Sequence, residues 1–193
     1  MRKVPLTAKN EIKPVGEVLE YIHNKCNKTI TTNVKEAIAE KIIKENKIFE
    51  KICVLLGYEY NGYKKVTGKA LQKAGVDYIL WINEDEQINI DIKTGIGMDY
   101  THGISIEITQ NGYFTNRKDK QTDYDLYFLY DAYGIRIYLI PYKKIHDISW
   151  DVHTKKDTSF QKHTSFNGSG QYIMYPPEDI ATIGFLLNDK ENK

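Results

Sequence analysis

The chain has 193 residues, of which 41% are hydrophobic and 27% charged, values typical of a globular protein and not of a disordered one. Its 27 Lys and Arg nearly balance its 26 Asp and Glu, so the net charge of +1 supplies no global field for nucleic acid, and any such contact needs a local basic patch. Two cysteines are too few for a disulfide framework, and no apolar run is long enough for a membrane span. We therefore expect a cytoplasmic protein folded as one domain over residues 1–193.

The first predicted elements are helical. A helical stretch over Val15–Tyr21 belongs to a preface of residues 1–33, which precedes the core. Apolar residues then recur at three- and four-residue steps over Val34–Leu56, which predicts one long helix with a buried stripe, ended by Gly57. Glu45 stands on that stripe where the spacing requires an apolar side chain, so its carboxylate must find water, a cation or a partner.

A β-hairpin is predicted next. Two strand-like runs, Val76–Ile82 and Ile88–Lys93, are separated by an acidic turn. Because side chains alternate along a strand, the three isoleucines of the second run share one face. Asn89, Asp91 and Lys93 share the other face.

The rest of the chain is read mainly as strands. Three more strands are predicted: Ile104–Thr109, Tyr124–Tyr130 and Ile135–Ile140. The tail adds an extended segment, Gln171–Tyr175, and a helix that opens at Pro176 and runs to Leu187. These elements predict an α/β protein with a core of about residues 34–140 and a C-terminal extension over 141–193.

The hairpin carries the residues that point to chemistry. Asp77 opens its first strand, and Asp91 and Lys93 close its second. Two carboxylates from neighbouring strands can converge on one Mg²⁺ and leave positions for water and phosphate. Lys93 shares a face with Asp91 and could orient or activate the water that attacks phosphorus. The carbonyl of Ile92 and the misplaced carboxylate of Glu45 are further candidate ligands.

This order, an acid-bearing helix, then Asp, then Asp-x-Lys, resembles the PD-(D/E)xK nuclease superfamily, which includes restriction endonucleases and Holliday-junction resolvases. The resemblance covers about residues 34–140 and implies a restriction-endonuclease-like core, with a mixed central β-sheet flanked by helices. It implies a Mg²⁺- or Mn²⁺-dependent deoxyribonuclease with catalytic residues Asp77, Asp91, Lys93 and Glu45. In that scheme Lys93 is the base that orients water, and the ion is held by Asp77, Asp91, Glu45 and the carbonyl of Ile92.

The resemblance extends to a segment before the strand at 124–130. Lys118, Lys120 and Gln121 resemble residues that precede a core strand in restriction-enzyme-like members, and we expect them to contact DNA phosphates. The family also implies an endonuclease that acts as a homodimer. Two departures stand out: Val76 replaces the proline that gives the family its name, and the strand over 104–109 replaces a helix.

Simpler interpretations accompany each of these signals. Asp-x-Lys is short enough to arise by chance, and Asp91 and Lys93 could form a weak pair on a solvated strand face. Glu45 could pair with Lys41, and Glu107 is a weaker candidate ligand than either hairpin acid. Two rival functions follow: a nuclease fold retained to bind nucleic acid or a protein partner, as an inhibitor does, and cleavage of RNA instead of DNA.

Overall fold

The computed structural model describes residues 32–96, 104–111, 113–131, 134–154, 162–164 and 170–187. The helix predicted over Val15–Tyr21 lies outside these residues. The described part is a mixed α/β structure, as predicted, with a mixed six-stranded sheet and four α-helices. None of these helices is long and apolar enough to cross a membrane.

The elements are numbered here in chain order within the described residues. The α-helices are α1 (Thr32–Glu45), α2 (Ile48–Leu56), α3 (Lys69–Lys73) and α4 (Tyr142–His153), and a 3₁₀ helix spans Pro177–Thr182. The strands are β1 (Tyr60–Lys65), β2 (Tyr78–Ile82), β3 (Glu86–Ile96), β4 (Ile104–Gln110), β5 (Tyr113–Phe114), β6 (Tyr124–Asp131), β7 (Gly134–Pro141), β8 (Lys162–Thr164), β9 (Gly170–Tyr175) and β10 (Phe185–Leu186). Their spatial order is β1-β2-β3-β6-β7-β10 in one sheet and β5-β4-β9-β8 in the other.

The predicted hairpin is confirmed. Strands β2 and β3 pair antiparallel, with Tyr78 opposite Ile90. The predicted faces are confirmed too, because Ile88 and Ile90 are buried and Ile92 packs against the same core. β3 continues beyond the predicted run to Ile96 and pairs in parallel with β6.

The prediction of one helix over Val34–Leu56 was wrong. Helices α1 and α2 are separated at Lys47, whose φ of 52° lies in the left-handed region that interrupts a helix. Apolar spacing carries no sign of such a residue, because a lysine rarely adopts positive φ. The predicted end is confirmed, since Gly57 closes α2 with φ 76° and donates its N–H to the Val54 carbonyl.

Two hydrophobic cores lie on the two faces of the six-stranded sheet. On one face, α1 and α2 pack on β2, β3, β6 and β7 through side chains such as Ile52, Ile90 and Phe128. On the other face, β6 and β7 share a second core with the four-stranded sheet and α4. Burial of each large aliphatic or aromatic side chain contributes about 1.5–3 kcal/mol, so both layers stabilise the sheet between them.

The second half of the chain departs further from prediction. The hairpin β6–β7 and the strand β9 were predicted, whereas α3 and α4 were not. The connection from β3 to β6 passes through β4 and β5 in the second sheet. The helix predicted from Pro176 to Leu187 was wrong beyond Thr182, where β10 joins β7. Gly184 allows this approach, since a Cβ there would lie 2.7 Å from the Leu139 carbonyl oxygen.

Candidate active site

Three aspartates lie side by side on neighbouring strands. Asp91 in β3 is the direct partner of Asp125 in β6. Asp77 immediately precedes β2, and its N–H donates to the Ile90 carbonyl in β3 at 2.9 Å. Because paired positions on neighbouring strands project to the same face, the three carboxylates converge on the face of the sheet opposite α1 and α2.

The carboxyls of Asp77 and Asp91 are close enough to influence each other's ionisation. Oδ2 of Asp77 accepts a hydrogen bond from the Ile92 N–H at 2.8 Å. Burial raises the pKa of Asp77 to about 6, the Ile92 N–H opposes that shift, and the charge of Asp91 and a hydrogen bond with it raise the pKa further. Two carboxylates held this close resist carrying two full negative charges, and a cation between them would relieve that repulsion.

Lys93 is bound to the second of these carboxylates. Its Nζ donates to Oδ2 of Asp91 at 2.6 Å, and its side chain is 38% exposed, against 7% for Asp91. Burial acts to lower the pKa of Lys93, but the carboxylates of Asp91, Asp125 and Asp77 outweigh it and raise the pKa above its ordinary value. Lys93 is therefore cationic at neutral pH.

A second lysine reaches the same carboxylate. Nζ of Lys120 lies 3.9 Å from Oδ2 of Asp91, and its side chain is 16% exposed. The ammonium also sits 5.3 Å from the centre of the Tyr142 ring, within range of a cation–π contact. Burial and the neighbouring charge of Lys93 lower the pKa of Lys120. Two lysines around one acid are thus shifted in opposite directions, a pattern typical of sites that transfer protons.

Asp125 is a site residue that the sequence analysis missed. It is 4% exposed, and among the described residues its Oδ1 has no hydrogen-bond partner. Burial raises its pKa, the cations of Lys93 and Lys120 oppose that shift, and the charges of Asp91 and Asp77 add to it. A buried oxygen without a partner is costly, so this carboxylate is another place where a cation would fit. A single Asp in a strand carries no signal of this; its position depends on the pairing of β3 with β6.

A loop over residues 115–123 positions Lys120. The Gln121 N–H donates to the Ala74 carbonyl at 2.9 Å, and the Thr122 hydroxyl donates to the Gly75 carbonyl. Gly75 has φ +80°, and a Cβ there would lie 2.9 Å from Thr122 Oγ1 and 3.1 Å from Lys120 Cδ. Only glycine allows the loop to approach this closely.

The site opens into a cleft of about 750 Å³. Its walls come from the end of α3, the hairpin β4–β5 and the loop 115–123, and Asp91 and Lys93 line it. The charged lining residues are four cations and one acid: Lys73, Lys93, Arg117, Lys120 and Asp91. The cleft is therefore suited to an anionic ligand.

The structure brings together most of the predicted catalytic residues. Asp77, Asp91 and Lys93 meet as described above. The Ile92 N–H donates to the Asp77 carboxylate. The role predicted for the Ile92 carbonyl, as a metal ligand, stays a prediction. The charge of Glu107, in β4, favours the protonated form of Lys120 and so opposes the net lowering of its pKa.

Glu45 lies elsewhere. Its side chain is 41% exposed, and its Oε1 is 3.9 Å from Nζ of Lys41. The prediction that Glu45 stands on the buried stripe was wrong, because Asn46 takes that position, is 8% exposed and donates its Nδ2–H to the Ile42 carbonyl. The simpler interpretation of Glu45, a surface carboxylate paired with Lys41, describes what the structure has.

The three predicted DNA contacts are placed differently. Lys120 lines the cleft, as described above. Lys118 and Gln121 are exposed and do not line it, and Gln121 is held through its backbone. Their contact with DNA remains a prediction, while Lys120 has a place beside the carboxylates themselves.

Within the described ranges, no group of three or more His, Cys, Asp and Glu side chains is arranged to hold a metal ion. An ion between Asp77 and Asp91 would complete its coordination with oxygens of water, backbone or substrate, as Mg²⁺ commonly does. No protein family, no curated protein and no solved structure matches this chain. The geometry of the site is therefore the basis for a proposed function.

Proposed function

We propose that the chain is a Mg²⁺- or Mn²⁺-dependent nuclease with a restriction-endonuclease-like core, and that it hydrolyses phosphodiester bonds of DNA. One observation carries the proposal. Asp77 and Asp91 lie opposite each other on paired strand positions, and the ammonium of Lys93 binds Asp91 at 2.6 Å where both line a cationic cleft. These are three of the four residues to which the PD-(D/E)xK resemblance assigns the chemistry; the fourth is Glu45.

The residues present fit a divalent ion. Asp77 and Asp91 would hold it, since burial and then the charge of Asp91 disfavour the ionised form of Asp77, and a cation would offset both effects. Asp125, on the next strand, adds negative charge near this pair. Once bound, such an ion supplies positive charge that offsets the charge developing on a phosphate in the transition state.

The two lysines support different roles. Lys93 keeps its proton because three carboxylates surround it, so it can donate hydrogen bonds to the attacking water or to a phosphate oxygen. A lysine that keeps its proton can orient the attacking water but cannot act as the base, the role that the resemblance implies for Lys93. Burial and the charge of Lys93 lower the pKa of Lys120, so of the two lysines Lys120 gives up its proton more readily.

The test is cleavage of three substrates in Mg²⁺ and in Mn²⁺: closed-circular plasmid, single-stranded circular DNA and RNA. We expect nicking or linearisation of circular DNA, and a loss of at least about 10²-fold in rate for Asp91→Ala and for Lys93→Met, the scale of removing one transition-state contact. Asp85→Ala is the matched control, since Asp85 is an exposed acid in the turn between β2 and β3. Cleavage of RNA, with neither DNA substrate cut, would identify RNA as the substrate instead of DNA.

Calorimetric titration with Mn²⁺ separates the enzyme from the rival binding protein. We expect the wild-type chain and Asp85→Ala to bind the ion and Asp91→Ala to lose that binding. If no binding depends on Asp91 and no substrate is cut, the chain is a nuclease-like fold that only binds, and the proposal fails.

A further inference from the structure

Exposed aromatic rings lie at the mouth of the cleft. Tyr113 and Phe114, in β5, both line it, and Tyr113 is 79% exposed. The Phe114 ring is 5.5 Å from that of Trp150 and 4.9 Å from that of His153, both in α4, and Trp150 is 42% exposed. We name Tyr113 and Phe114 the aromatic rim; Trp150 and His153 contact the Phe114 ring but do not line the cleft. Within the described ranges the Tyr113 ring has no ring partner, so its faces are open to a ligand.

The rim is fixed to the rest of the second layer. Asn116 donates its Nδ2–H to the Glu107 carbonyl at 2.6 Å and to Ser149 Oγ at 2.8 Å, which joins the strand β4 to the helix α4. The Ser149 hydroxyl donates to the Ile145 carbonyl at 2.6 Å. The buried ring of His146 stacks on Trp150 with centres 6.3 Å apart. These contacts hold the hairpin and the helix in one arrangement, so the rim is preformed.

Positive charge lies beside the aromatic rim. Lys73 in α3, Arg117 in the loop 115–123 and Lys120 beside the carboxylates all line the same cleft. Lys73 has no ion-pair partner among the described residues, and Arg117 is paired only with exposed Asp119. A cationic groove beside open aromatic faces is the combination that binds single-stranded nucleic acid, whose phosphates meet the cations while its bases stack.

A duplex does not offer the same fit. Its bases stack on each other and present only their edges in the grooves, so the exposed face of Tyr113 would have no base to contact. Unpaired bases have free faces that aromatic side chains cover. The cleft volume of about 750 Å³ is in the range of pockets that enclose small ligands, so it suits a few nucleotides of one strand.

We infer that the cleft takes a single nucleic-acid strand with unpaired bases, with one base stacked on Tyr113 and the phosphates along Lys73, Arg117 and Lys120. The inference rests on the proposed function only for the cleavage of the bound strand. Binding itself requires no cleavage, so the two can be tested apart.

The experiment is fluorescence anisotropy in EDTA, which prevents metal-dependent cleavage. The probes are a labelled single-stranded DNA, an RNA of the same sequence, the blunt DNA duplex and an abasic strand that has phosphates and sugars but no bases. We expect at least about 10-fold tighter binding of the single strand than of the duplex. Tyr113→Ala should weaken single-strand binding by about 5- to 150-fold, the range for one lost base stack, and Tyr113→Phe should bind as the wild type does.

Two controls isolate the stacking contribution. Tyr58→Ala removes a tyrosine that is 39% exposed but does not line the cleft, and it should leave binding unchanged. Tyr113→Ala should not alter affinity for the abasic strand, whereas Arg117→Ala should weaken binding of both strands and reduce its salt dependence. Thermal unfolding verifies that each variant is folded.

The outcomes distinguish this inference from the proposed function. Equal or tighter binding of the duplex, or wild-type single-strand affinity in Tyr113→Ala, overturns the aromatic rim as a stacking site even if the protein cuts DNA. Single-strand binding that depends on Tyr113 supports the inference even if Asp91→Ala shows that no cleavage exists. Tighter binding of RNA than of DNA also supports it and identifies the strand as RNA.

Discussion

The two faces of strand β3 perform different tasks with alternate residues of the same segment. Ile88, Ile90 and Ile92 face the helices and belong to a core built from apolar side chains. Asp91 and Lys93 face the opposite way, toward carboxylates and a cleft. Stability and the candidate chemistry are therefore separated by a shift of one residue, because side chains of a strand alternate. Variants at neighbouring positions should therefore give opposite phenotypes.

The largest effects should come from single substitutions of Ile90 and Asp91, neighbours whose side chains lie on opposite faces of β3. Ile90→Ala should lower the free energy of unfolding by about 2–5 kcal/mol, because Ile90 is fully buried and its truncation leaves a cavity. Asp91→Asn should change that free energy by about 1 kcal/mol or less, since Asp77 and Asp125 still face Lys93. The same substitution should lower cleavage by at least about 10²-fold. Urea unfolding measures the free energy of unfolding, and the plasmid assay measures cleavage. A large loss of stability in Asp91→Asn would contradict the separation of stability and chemistry between the two faces.

A second variant tests how the site face is assembled. Gly75→Ala should lower the free energy of unfolding by more than about 1 kcal/mol, because φ is +80° and the new Cβ would meet Thr122 and Lys120. Lys120 should move away from Asp91, so cleavage should fall as well. Gly68→Ala is the matched control, since nothing lies within 4 Å of a Cβ there. Equal stability of the two variants would show that the approach of the loop to Gly75 is not tight.

The pH dependence of stability should separate the two faces, since only one carries buried acids. The pKa of Asp77 is raised from 3.8 to about 6, so its contribution to stability is complete below about pH 4 and is lost as the pH rises through about 6. Asp125 acts in the same direction. Without metal, the free energy of unfolding should therefore fall by of the order of 2 kcal/mol between about pH 4 and pH 7.

Urea unfolding in EDTA across this pH range measures the effect. Asp77→Asn should make the profile flatter, and Mn²⁺ should restore stability at the upper end because the ion favours the charged carboxylates. A wild-type profile that rises over the same range would contradict the raised pKa of these acids.

The smallest effect is expected at Glu45. Glu45→Gln removes only an exposed pair with Lys41, so the free energy of unfolding should change by less than about 0.5 kcal/mol and cleavage should not change. The plasmid assay provides the measurement. A rate loss comparable to that of Asp91→Ala would mean that Glu45 does join the site, as the family resemblance implies.

The predictable part of the fold is the part with regular apolar periodicity. Alternation over Val76–Ile82 and Ile88–Lys93 was enough to predict the hairpin and both of its faces, because every second residue of the first run is buried and Ile88 and Ile90 of the second run are buried on the same side. The break at Lys47 depends on one left-handed residue, which has no pattern of its own. Helix α4 was missed because its buried face mixes Ile145 and Val152 with the polar His146 and Ser149.

The candidate site was predictable only where it is local in sequence. Asp77, Asp91 and Lys93 belong to one hairpin, whose geometry follows from alternation. Asp125 comes from a strand 34 positions after Asp91, and their proximity depends on a parallel pairing that no sequence pattern reveals. Lys120 was identified by resemblance as a DNA contact, and its place beside Asp91 depends on the glycine at position 75.

The parallel pairing of β3 with β6 also has a consequence for biosynthesis. A ribosome delivers Asp77 and Asp91 early as a local hairpin, while Lys120 and Asp125 follow only after two strands of the other sheet have been made. Contacts across such a separation form slowly, because loop closure precedes any gain from pairing. A nascent chain that ends before β6 would carry the acidic pair without the complete set of charges around it, so nucleolytic competence should arise late, when most of the polypeptide has emerged.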